Sequence, residues 1–110
     1  MTTTRDILIA ARALIADPER WTRRVSARAA AEKVCDATDD AAVAWCATGA
    51  IERCVSDDTE WQDALEALRS VLVPTTLITG HITAWNDRPS TTHADVLAAF
   101  DRAIERSRRR

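Results

Sequence analysis

Three cysteines and two histidines are the residues of this sequence best suited to covalent or metal chemistry. Acyl transfer or hydrolysis needs a thiolate and an imidazole within hydrogen-bond reach, with a third group orienting the ring. Cys46 and His93 supply the first two, and Asp87 or its neighbour Asn86 would orient the imidazole. His93 falls in the first turn of a predicted helix, whose positive dipole end disfavours the protonated ring and leaves it competent as a base. Cys46 falls in the middle of another predicted helix, among Trp45, Ala47 and Ala50. A thiol in such a position is a small apolar filler, whereas reactive cysteines favour helix starts. Thiol chemistry is therefore the alternative reading.

A zinc site would draw on Cys35, Cys46, Cys54, His81 and His93, but the sequence has no Cys-x-x-Cys or His-x-x-x-His pair. Cys46 and Cys54 stand two helical turns apart, too far to share an ion held about 2.3 Å from each sulfur. No metal site is expected. Trp85, Asn86, Asp87 and Ser90 set an aromatic face beside convergent polar groups, an arrangement that suits a small polar ligand. The same residue types also brace turns and cap helices. Gly49 and Gly80 are isolated, so the glycine-rich loops that cradle phosphates and nucleotides are not encoded, and no cofactor is expected.

The elements that must position these groups are helical. The chain has 110 residues, 46% of them apolar, with 21 Ala, two Gly and three Pro. That composition favours helices and suffices for one core. The expectation is a mainly α, single domain over residues 1–110: a compact bundle of four to five helices with irregular connections. Ile7, Leu8, Ala11, Leu14 and Ile15 follow one helical face, predicting a first helix over 5–16, capped by Thr3 or Thr4 and stopped at Asp17-Pro18. Trp21 would close the end of that face. Residues 22–35 lack a clear period and read as irregular or short extended pieces, although Ala27–Ala31 favours helix by propensity.

A second long helix is expected from Thr38 or Asp39 through Val43, Trp45, Cys46, Ala50 and Val55, apolar nearly all round and hence central. Gly49 within it points to close packing of another backbone. Thr59 and Gln62 have the spacing of a capping box for a third helix, which Pro74 ends. Leu77, Ile78, Ile82 and Trp85 suggest a short helix or turn crossing the core. Residues 86–90 read as a turn by composition, the Trp85–Thr92 stretch should clamp against the second helix, and a last helix capped by Thr92 and Asp95 would bury Val96, Leu97, Phe100, Ala103 and Ile104.

Charge is distributed in blocks. The net formal charge of −2 comprises +3 over Met1–Cys35, −8 over Asp36–Glu66 and +3 over Ala67–Arg110. An acidic middle between basic ends could steer a basic partner, or simply form a solvated surface. Arg106 and Arg108–Arg110 read as a frayed basic tail from residue 105; without interleaved aromatics, nucleic-acid binding is not expected. No apolar run approaches the ~20 residues of a membrane span. An acid at position 6 is unlike a secretory signal, and an odd cysteine count suits reduced thiols, so the expected location is cytoplasmic.

Trp45-Cys46-Ala47-Thr48-Gly49-Ala50, then Trp85-Asn86-Asp87-Arg88-Pro89 leading through Thr92-His93-Ala94-Asp95-Val96, resemble a family of small bacterial and phage-encoded proteins of unknown function. That family carries a Trp-Cys-Ala-x-Gly-Ala helix mid-chain, a Trp-Asn-Asp turn before the terminal helix and a Gly-Trp-Thr-like end to the first helix. Here Arg20 stands where the family tends to have Gly. The likeness extends over most of the chain and implies a compact helical fold without assigning an activity. The preferred function is a non-enzymatic cytosolic interaction or regulatory module, phage-related, binding another protein or a second copy of itself. The alternative is a thiol hydrolase or transferase using Cys46 with His93.

Overall fold

Helix α1 (Thr4–Leu14) starts where Thr3 and Asp6 cap each other. The Thr3 hydroxyl accepts from the Asp6 amide at 3.0 Å, and the Asp6 carboxylate accepts from the Thr3 amide at 3.1 Å. Two otherwise unpaired donors are thereby satisfied. The helix stops at Ile15, and Asp17 then caps a single tight turn, Pro18–Arg20, through the Glu19 amide. These features belong to a computed structural model that describes residues 2–72 and 82–108. The expected stop at Pro74, the Leu77–Ile78 stretch, Gly80, His81 and the last two arginines lie outside the described residues.

The segment 22–35 is extended where its chain is regular. Strand β1 (Ala27–Arg28) pairs antiparallel with β2 (Val34–Cys35), and on its other side with β3 (Ala44–Trp45), giving the order β2-β1-β3. The Ala27–Ala31 run is therefore not a helix. Ala27 and Arg28 lie in the sheet, and only Ala30–Glu32 makes one tight turn, with Ala31 and Glu32 at φ of 61° and 62°. Such left-handed geometry reverses the chain between β1 and β2 at some cost for residues bearing a Cβ.

The second helix is also shorter than its alanine content suggests. α2 spans Ala47–Cys54; Val43 is exposed, and Ala44 and Trp45 belong to the sheet. The cause is tertiary. Ala44 and Trp45 pair with Arg28 and Ala27, the Val43 amide donates to the Arg28 carbonyl, and the Cys46 amide donates to the Ser26 carbonyl at 3.1 Å. A ladder that satisfies this backbone outweighs a weak local preference. With the apolar residues 43–46 removed from the helix, what remains has Thr48, Glu52 and Arg53 on its outer side and Ala47, Gly49, Ala50 and Ile51 buried.

α3 (Asp58–Leu72) is capped two residues before the expected Thr59: Asp57 accepts from the Glu60 amide, and the Glu60 carboxylate accepts from the Ser56 amide. α4 (Ile82–Asp87) is short and carries Trp85 and Asn86 inward. α5 (His93–Ser107) has the Thr92–Asp95 capping box expected of it, and it remains helical through Ser107, where fraying was expected from residue 105. α2 packs against α1, α3 and α4, while α1 and α3 both pack on α5. The core between them holds Ile7, Leu8, Ile15, Ile51, Leu68, Val96 and Phe100, each at most 2% exposed. Burying each such side chain contributes about 1.5–3 kcal/mol.

Candidate functional site

Asn86 is the polar centre of the molecule. It is fully buried, and its side chain makes four hydrogen bonds. Its Oδ1 accepts from the indole Nε1–H of Trp21 at 2.8 Å and from the Ala47 amide at 3.0 Å. Its Nδ2 donates to the Thr22 carbonyl and to the Asp87 carboxylate, both at 3.1 Å. One side chain thus ties α4 to the first turn of α2 and to the loop after α1. The expected clamp on the central helix exists, but Asn86, read by sequence with Asp87 as a turn, makes it from the last turn of α4.

Asp87 extends the same junction. Its Oδ1 also accepts from the Arg24 amide at 2.8 Å, holding Arg24 at φ 74°. Trp85 lies in the core at 6% exposure, so its ring presents no open face, and Ser90 is exposed. Of the four residues grouped by sequence as a possible ligand site, Asn86 and Asp87 form a structural lock, while Trp85 packs in the core.

Cys46 stands at the start of α2 instead of its middle. Its sulfur accepts from the Gly49 amide at 3.3 Å and lies 3.2 Å from the Thr48 hydroxyl. Helix starts are where reactive thiolates occur, but Cys46 is 2% exposed and its sulfur is used as a cap. His93 is joined elsewhere: its Nε2 lies 2.6 Å from the Ile15 carbonyl, and its ring is 5.8 Å from that of Trp21. No hydrogen bond links Cys46 with His93 among the described residues.

Cys35 and Cys54 are half-buried and unpaired. Burial raises the thiol pKa of both; at Cys35 the carboxylates of Asp39 and Asp36 add to the effect, while at Cys54 Arg53 opposes it. Among the described residues, no three His, Cys, Asp or Glu side chains gather as metal ligands. No helix among them is long and apolar enough to cross a membrane.

The lock holds a surface that sequence reading did not single out. Trp21, Thr22, Arg23, Arg24, Arg28 and Glu32 line an open cleft of about 370 Å³. Trp21 bridges to Trp45 by backbone, and the Thr22 amide donates to the Trp45 carbonyl at 3.0 Å, which fixes the floor. The Arg23 guanidinium lies 4.5 Å over the Trp21 ring and donates to the Thr91 carbonyl; its buried Nε has no acceptor. Arg28 donates to the Thr22 hydroxyl at 2.8 Å and faces Glu32 at 3.7 Å. Arg24 projects from a pinned backbone into solvent.

The lining carries three guanidiniums against one carboxylate, a net charge of +2. Arg20 is exposed on the preceding turn. Guanidiniums held in this way bind carboxylate and phosphate oxygens with two parallel hydrogen bonds each. The spacing Arg20, Arg23, Arg24, Arg28 was available as a signal, but counting charge over 35 residues averaged it away.

Comparison with curated proteins and with solved structures finds no match. A family profile, described as a family of unknown function (DUF6197), matches residues 1–106, and the chain belongs to that family.

Proposed function

We propose that this protein is a non-enzymatic, cytosolic interaction module that captures an acidic segment of a partner protein in the cleft between Trp21 and Arg28. The observation that carries the reading is the concentration of Arg23, Arg24 and Arg28 around one cleft, with Arg20 exposed on the preceding turn. Support also comes from the use made of the groups suited to chemistry: the Cys46 sulfur and the His93 and Asn86 side chains already hold backbone or indole partners. Exposed Val34, paired with Arg28 in the sheet, and exposed Val43, whose amide donates to the Arg28 carbonyl, would give a bound segment apolar contact beside the charges. The three thiols are free, as suits a reducing compartment.

The test is fluorescence anisotropy of a labelled, Glu-rich dodecapeptide. Binding should weaken with salt and be abolished by the charge reversal Arg24→Glu. A reversal on the opposite charge field, Asp58→Lys in the acidic cleft of Glu52, Asp57 and Trp61, should leave it intact. Equal loss with both variants, or no binding at low salt, refutes the reading.

A further inference from the structure

We infer that the cleft is built for a phosphate monoester on the partner segment in preference to a carboxylate, an inference that rests on the acidic-segment reading. Charge is the first reason. The lining carries +2, so a single carboxylate leaves one positive charge uncompensated, whereas a phosphorylated side chain brings about −1.5 to −2 near neutral pH.

The second reason is the supply of donors. Arg28 is immobilised by bonds to the Thr22 hydroxyl and to the Arg23 and Glu32 carbonyls, so its guanidinium is preorganised. Arg23 is held by Trp21 and Thr91. Three phosphate oxygens can meet donors from several directions where a planar carboxylate meets one fork. Arg24 is the adjustable member. Its amide is pinned on Asp87, while its exposed side chain belongs to the lining of the cleft.

The experiment compares three labelled dodecapeptides that differ only at the central residue: phosphoserine, Glu or Ser. Their affinities are measured by anisotropy at one ionic strength with the full chain. The phosphoserine peptide should bind about tenfold more tightly than the Glu peptide, the size expected from one added charge-assisted contact. Arg24→Ala should erase that preference, and Arg24→Lys should restore part of it. Neither change alters the backbone demand at φ 74°, since both keep a Cβ.

Equal affinity for the phosphoserine and Glu peptides overturns the inference and leaves the acidic-segment reading standing; failure of both peptides removes both. Inorganic phosphate displacing the peptide at the peptide's own affinity overturns the protein-borne occupant in favour of a small phosphorylated molecule. Tighter binding of a single-stranded oligonucleotide overturns it in favour of nucleic acid.

Discussion

Replacing Asn86 with Ala should be the most damaging single polar substitution among the described residues. The change removes the common partner of the Trp21 indole N–H, the Ala47 amide and the Thr22 carbonyl, all within 3.1 Å of a side chain that is fully buried. A hydrogen bond contributes about 1 kcal/mol net, and each buried group left unsatisfied costs about 1–3 kcal/mol. With one group recovering water, the other two at a mid-range cost of about 1.5–2 kcal/mol each bring the loss to about 3–4 kcal/mol, against a total of roughly 5–15 kcal/mol for a typical domain. Near this chain length each kcal/mol lowers the melting temperature by about 4–8 °C, so the drop is on the order of 12–30 °C.

Urea and thermal unfolding followed by tryptophan fluorescence would read it. The near-isosteric Asn86→Asp keeps the acceptor but turns a second oxygen towards the Thr22 carbonyl and the Asp87 carboxylate. Its folded pKa must therefore rise above the unfolded value, so its stability is best preserved below about pH 4 and is lost as pH increases. A loss under about 1 kcal/mol for the Ala variant, or a deficit in the Asp variant that does not grow with pH, would refute the role assigned to this side chain.

Three further outcomes follow from individual contacts. Gly49→Ala would gain about 1 kcal/mol if helix propensity alone decided. The added Cβ would lie 2.0 Å from the Ser26 carbonyl oxygen, which also accepts from Cys46, so urea titration should instead show a net loss of at least ~1–3 kcal/mol. In the folded protein, iodoacetamide should leave Cys46 unmodified and alkylate Cys35 and Cys54 slowly, with rates that go on rising with pH past the point where an ordinary thiol levels off; rapid labelling of Cys46 near neutral pH, read by peptide mass mapping, would revive the thiol alternative with His93. Hydrogen bonds from the Thr3 backbone and then its hydroxyl hold the Asp6 carboxyl below its ordinary 3.8, so the cap's contribution is present above that value and fades as pH falls through the folded pKa; in Thr3→Ala, which keeps the backbone donor and loses the hydroxyl, a carboxyl NMR titration should move only part of the way back towards the ordinary range.

The helical architecture was legible wherever local signals and burial agreed. The stripe from Ile7 to Ile15, the Thr92–Asp95 cap and the close approach at Gly49 are all written in residue type and spacing, and the structure contains each. The family resemblance read from the Trp45–Ala50 and Trp85–Asp87 stretches likewise leads to a family of unknown function. Reading failed where partners distant in sequence decide. Val43–Cys46 is a continuation of helix by composition, yet Arg28, Ala27 and Ser26 offer its backbone a ladder that no local window contains. That one displacement moved Cys46 from mid-helix to helix start. The arginine cleft was missed for the same reason: Arg23, Arg24 and Arg28 become a shared lining only after Asp87, Thr91 and Thr22 have fixed them.

The assignment of chemistry-bearing residues to architecture and of the arginine loop to recognition is tested most directly by amide and indole NMR shifts on titrating the Glu-rich dodecapeptide. Shifts should concentrate at Trp21, Arg23, Arg24 and Arg28, with the Trp21 indole N–H among them and the Cys46 and Glu52 regions unmoved. Shifts centred on Cys46 and His93, or on the acidic cleft beside Trp61, would contradict it.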